Sequence, residues 1–203
     1  MAVETAGLRS SRHRLARVIT EVFSPPVLVL VTTAVVGATS SSTVSRGLGW
    51  ALLATLFVGL LPYGVILLGV RAGRIGDHNI TIRSQRVVPM TVAFISAVAG
   101  LAVLAFLGAP RPLLALVVAS AVGLASIAAG STVWKMSIHV GSAAGSVVVL
   151  ALTLGPAVLI AGVPVLAAVA WARLRLTAHT LRQVIGGGLF GTVIAGVVFT
   201  ALR

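Results

Sequence analysis

Three residues near the carboxyl end have the types and spacing for phosphate chemistry: Arg173, His179 six positions later, and Gln183 four beyond that. A guanidinium donates a bidentate pair of hydrogen bonds to an oxyanion. An imidazole serves near neutral pH as nucleophile, general base or general acid. Residues four apart on a helix share a face, so the Gln183 carbonyl accepts from one ring nitrogen of His179 and leaves the other aimed at phosphorus. His139, at the end of "WKMSIH", supplies a second imidazole, and the two histidines divide nucleophile and general acid between them. Lys135 and one or both of Arg83 and Arg86 add cations for the nonbridging oxygens.

The residues that are missing narrow the chemistry further. The chain has three carboxylates, Glu4, Glu21 and Asp77, and of these only Asp77 falls in a candidate site. Catalytic magnesium is held by carboxylates together with substrate phosphates, so a magnesium-dependent reaction is not expected. The four histidines, at 13, 78, 139 and 179, include no pair with zinc-ligand spacing on a helix. There are no cysteines, which removes disulfides, thiolate metal sites and cysteine nucleophiles. No cofactor is expected. His78 and Asp77 are either an ordinary loop pair or the flank of a pocket entrance.

The elements that must position these groups are membrane helices. A mean hydropathy of +1.13 with 58% hydrophobic and 9% charged residues does not describe a water-exposed surface. A span needs about 20 apolar residues. Such runs extend over about 18–38 (broken by Pro25 and Pro26), 48–70, 90–107, 113–133 and 184–202. The uncharged stretch 140–172 is too long for one helix and divides at Gly155-Pro156 or at Gly162-Val-Pro164. The expected fold is all-α, a polytopic integral membrane bundle of six to seven transmembrane helices. Residues 1–17, with Arg9, Arg12, Arg14 and Arg17, form a basic flexible arm that also carries His13, and 18–203 form a single transmembrane domain.

Most of the +12 net charge sits in the arm, in the 71–89 loop and in 173–182, which places those segments in the cytoplasm. Anionic lipid headgroups or phosphate substrates fit this charge as partners, and nucleic acid does not. The expected location is a prokaryotic plasma membrane, with the site on the cytoplasmic side. Two spans separate "HNITIRSQR" (78–86) from "WKMSIH", and two more separate that from "WARLRLTAH", so all three polar stretches emerge on one face. Gly141 and Gly145, and likewise Gly187, Gly191 and Ala195, stand four apart, a spacing that allows close helix approach. Trp134 and Trp171 mark the membrane interface. Arg71, Arg74, Arg175 and, taken alone, Lys135 read as snorkelling anchors at helix ends.

Ala172-Arg173, five residues, His179, three residues, Gln183 resembles the third signature of the type 2 phosphatidic acid phosphatase family: Ser-Arg, five residues, His, three residues, Asp. "KMSIH" resembles the second signature, Pro-Ser-Gly-His, through Ser137 and His139. Of the first signature, Lys, six residues, Arg-Pro, only Arg86 followed by Val-Val-Pro89 remains, with Asn79 in the place of the lysine. The resemblance covers about 71–200. It implies a metal-independent phosphatase of a lipid phosphate or diphosphate, polyprenyl or glycerolipid. His179 would form a phosphohistidine, His139 would protonate the leaving alkoxide, and Arg173 with Arg83 or Arg86 would steady the oxygens. Ser137 and the first amides of the helix after it would add donors. Gln183 stands where the family has a carboxylate, and it orients an imidazole without stabilising its charged form to the same degree. Two other readings use the same pocket: a prenyl diphosphate cyclase or transferase, and a nonenzymatic lipid-phosphate-binding or transport protein.

Overall fold

Pro25 and Pro26 cannot continue a helix from upstream but suit the first turn of a new one, and the chain bends there. In the computed structural model α1 (Ala2–Val22) and α2 (Pro25–Thr39) meet at 44°. The structure describes residues 2–80, 85, 87–130, 134 and 136–203, with side chains from residue 10 onward except at 128 and 130. A single helix therefore covers most of the expected arm and the start of the first apolar run. It packs against α8 (Val158–Arg175), with Ala16 fully buried and Thr20 nearly so.

The remaining helices follow the apolar runs. Thr43 caps α3 (Val44–Thr55) by accepting from the Arg46 amide, and α3 continues through a π-helical stretch, Leu56–Leu60, into α4 (Leu61–Arg71). The π stretch precedes Pro62, and the Ser96 hydroxyl donates to the Phe57 carbonyl at 2.6 Å, satisfying a backbone group that hydrocarbon would leave bare. Then come α5 (Val87–Phe106), α6 (Arg111–Gly130), α7 (Ile138–Leu154) and α9 (Leu181–Leu202). Between α7 and α8 the chain breaks at Gly155, whose φ of 102° suits glycine, whereas Pro164 lies inside α8.

Among the described residues the fold is all helix. Four runs, Val44–Arg71, Val87–Phe106, Val158–Arg175 and Leu181–Leu202, are long and apolar enough to cross a membrane, and α1 with α2 makes a fifth if taken as one broken span. Among the described residues these make four or five, fewer than the expected six to seven. Ile138–Leu154 is apolar but shorter, because Gly155 stops α7, and the stretch Arg111–Ile127 of α6 is apolar as well.

The helix pairs that pack most extensively are α7 with α9 and α2 with α3. At the first, a side chain at Gly191 would run into the Gly141 carbonyl, and a Cβ at Gly187 would lie 2.6 Å from the Ser137 carbonyl. The backbones touch because no side chain separates them. At the second, Gly37 and Gly47 meet in the same way, and Thr33 and Thr55 share a buried hydrogen bond of 2.7 Å. The core between these pairs holds Val36, Leu104, Leu113, Val117, Val149 and Phe199.

Candidate functional site

Two helix beginnings and one helix end converge beside a cavity of about 260 Å³. Ser137 caps α7, accepting from the Val140 amide, so His139 occupies the first turn. Thr180 caps α9 with a reciprocal capping box: its hydroxyl accepts from the Gln183 amide, and the Gln183 carbonyl oxygen accepts from the Thr180 amide at 3.1 Å. His179 lies immediately before that cap. Arg173 comes from the last turn of α8. The two helix beginnings are tied directly, since the Ser137 amide donates to the Gln183 main-chain carbonyl at 3.2 Å.

The turn joining α8 to α9 places Arg173 and His179 on the same cavity. Thr177 donates its amide to Leu174 and Ala178 donates to Arg173, the paired bonds of a Schellman turn, with Thr177 at φ 51°. Equivalent turns end α4 and α5 with Gly73 and Gly108 at the left-handed position. A β-branched residue is strained there.

His139, Arg173 and His179 are all less than one-tenth exposed, and all line the cavity. His179 Nδ1 lies 3.3 Å from the Gln183 carbonyl oxygen. That oxygen already accepts a main-chain N–H, which fixes the orientation of the amide. Nδ1 must therefore donate, and in the neutral ring the lone pair lies on Nε2. The first turns of α7 and α9 bring the positive ends of two helix dipoles to the site, a setting that favours anions.

Several expected residues are placed differently. Gln183 does not line the cavity; it acts from behind His179. Ser137 is fully buried as the α7 cap and is absent from the cavity wall, because its hydroxyl faces its own helix. Arg83, Arg86 and Lys135 lie outside the described residues. Arg71 and Arg74 are exposed. Asp77 is half-buried and holds a turn by accepting from the Asn79 amide at 2.8 Å. His78 and Asn79 do line the cavity, and His78 Nε2 lies 2.9 Å from a Glu21 carboxylate oxygen and 3.2 Å from the Asn79 side-chain nitrogen. Glu21, a carboxylate near the end of α1, was legible as a lone charge in an apolar run. Among the described residues no group of three His, Cys, Asp or Glu side chains could hold a metal ion.

Most of the cavity wall is apolar. Val58, Leu116, Val149 and Ile194 line it, and so do Ser142 and Ser146 of α7. No family model matches the chain, and no curated protein or solved structure matches it.

Proposed function

We propose that the chain is a membrane phosphatase that removes phosphate from a lipid phosphate without a metal, through a phosphohistidine on His179. The observation that carries this reading is the convergence of the buried Arg173 guanidinium and two buried imidazoles, His139 and His179, on one cavity whose wall is mostly apolar. Arg173 and the amino ends of α7 and α9 bind the phosphate oxygens. His179 Nε2 attacks phosphorus as the bond to the lipid oxygen breaks, and His139 gives that oxygen its proton. A water then attacks the phosphohistidine, losing a proton to His139, and inorganic phosphate leaves. The summed reaction is lipid phosphate plus water to lipid alcohol plus phosphate. In the same proposal α6 and the shorter α7 also cross the bilayer, giving seven spans, and the site faces the cytoplasm.

Purified full-length protein assayed for phosphate release from lipid phosphates in EDTA tests the reaction. Activity persists in chelator and falls by at least about 10³-fold in His179→Asn. Full activity in that variant, or release that requires added metal, overturns the proposal. Organic product without the simple alcohol favours the cyclase or transferase reading, and binding without turnover favours a carrier.

A further inference from the structure

A second concavity runs along the outer seam between α6 and α9. Ile185, Leu189 and Val193 line it on α9, with Ser126 on α6. Arg182, exposed in the first turn of α9, stands at one end, and the Trp134 ring lies against the bare backbone of Gly186 one turn further on. A cation and a tryptophan at a helix end belong to the headgroup layer, and the apolar residues beyond them belong to hydrocarbon. From Arg182 to Val193 the groove follows α9 for about 16 Å, close to half of a hydrocarbon core about 30 Å thick. It fits an amphiphile of one leaflet, with an anionic head at Arg182 and one chain along Ile185, Leu189 and Val193.

Phe190 lines this groove and also the cavity that holds His139, Arg173 and His179, and no other described residue lines both. Its ring is therefore the partition between them. The backbone beneath the ring is held in place, because the adjacent Gly191 lies against the Gly141 backbone. Parting α9 from α7 would break that crossing, so the partition opens by rotation of the side chain. The ring is 37% exposed, and exposed side chains change rotamer within about picoseconds to nanoseconds. On the α6 wall of the cavity a Cβ at Gly123 would meet nothing within 4 Å, which leaves open space there. Groove and cavity also ask for the same ligand chemistry: each offers a guanidinium to an anion, Arg182 in one and Arg173 in the other, and an apolar wall to the rest.

We infer that Phe190 is a gate between bilayer and site: an amphiphile resting in the α6–α9 groove passes its anionic head into the cavity as the ring turns aside, and its chain stays in the groove, running past Phe190. The width of that passage makes Phe190 a determinant of which chains are accepted. The inference rests on the phosphate-binding part of the proposed function and not on its turnover.

The test uses full-length protein in phosphatidylcholine nanodiscs, in the His179→Asn background, with octadecyl phosphate carrying a diazirine midway along its chain. After illumination the labelled residues are read by peptide mass spectrometry. Label falls on Leu189, Phe190 or Val193, and excess butyl phosphate, which fills the cavity but is too short for the groove, lowers it about tenfold. Groove label that butyl phosphate leaves unchanged belongs to a surrounding lipid and overturns the inference. Competed label at Tyr63 or Met90 instead of the groove means that the chain leaves between α4 and α5, and overturns it too. Phe190→Trp and Gly123→Leu narrow the passage from its two sides, and each lowers the affinity of octadecyl relative to butyl phosphate about tenfold. Phe190→Ala keeps or raises that ratio. A ratio unchanged in both bulky variants overturns the gate. Phosphate release is measured separately in the unaltered protein. Competed groove label without phosphate release leaves the gate standing and removes the phosphatase, and release with the chain labelled at another seam does the reverse.

Discussion

Among the described residues two pairs of helices approach backbone to backbone through glycine, and the side chains that each crossing gathers differ. In α2 and α3 the contact between Gly37 and Gly47 closes a hairpin at its short polar turn, away from the cavity. In α7 and α9 the contact of Gly141 with Gly187 and Gly191 lies within the first three turns of both helices, where His139, Ser137 and Gln183 also lie. The packing device is the same. What differs is which helix ends it brings together. A glycine crossing is thus a means of approach, and it positions a site only where it draws together helix beginnings with bare amides and side chains that need aiming.

The strongest test places one methyl group at each crossing. At Gly191→Ala the new carbon comes within 2.9 Å of the Gly141 backbone, and at Gly47→Ala within 2.7 Å of the backbone at Gly37 and Ala38. Both lower thermal stability. Under the proposed reaction Gly191→Ala also lowers phosphate release by about 10²-fold in the protein that remains folded, since a shift of about 1 Å costs that much. Gly47→Ala leaves release by the folded fraction within about twofold of the parent on the same argument. Equal losses of release per folded molecule would erase the distinction between the two crossings.

A smaller effect is expected at Arg173→Lys. It keeps the charge but loses the fork that grips two oxygens, so kcat/KM falls about tenfold or somewhat more, by about 1.5–2 kcal/mol. Steady-state kinetics on a lipid phosphate measure it. Gln183→Glu keeps the length needed both for the capping box and for His179 Nδ1, and adds the charge that steadies an imidazolium. Release rises several-fold, to about tenfold, whereas Gln183→Leu loses both bonds and lowers activity and stability together. The smallest effect belongs to Thr177→Gly. Relief of its left-handed strain outweighs the added freedom of the unfolded chain by about 1 kcal/mol or less, raising the melting temperature with release unchanged. A fall in stability would mean that Thr177 contributes more by its side chain than its backbone costs.

Some of this was legible in the sequence, for identifiable reasons. Even numbers of apolar runs between the polar stretches require His78, His139 and His179 to emerge together, and they share one cavity. The four-residue spacing of Gly141, Gly145, Gly187, Gly191 and Ala195 marks the stripe along which α7 and α9 meet. Gly155-Pro156 and Gly162-Val-Pro164 looked equivalent as breaks, because a proline one turn or more inside a helix is disfavoured, not forbidden. Gly155 holds a positive φ, and α8 absorbs Pro164. Ser137 was misplaced because a serine before a helix reads equally well as a cap or as a ligand donor, and only the direction of its hydroxyl separates the two. The Glu21–His78 pair joins residues 57 apart in sequence, and periodicity contains nothing about such a distance.

One atom links the start of α9 to the orientation of His179. The Gln183 carbonyl oxygen accepts from both the Thr180 amide and the His179 ring, so fraying of the first helical turn and loss of ring alignment are one event. Opening at a helix end takes far less free energy than global unfolding. On warming, the proposed activity should therefore fade reversibly, by end-fraying of a single turn, several degrees before the bundle comes apart.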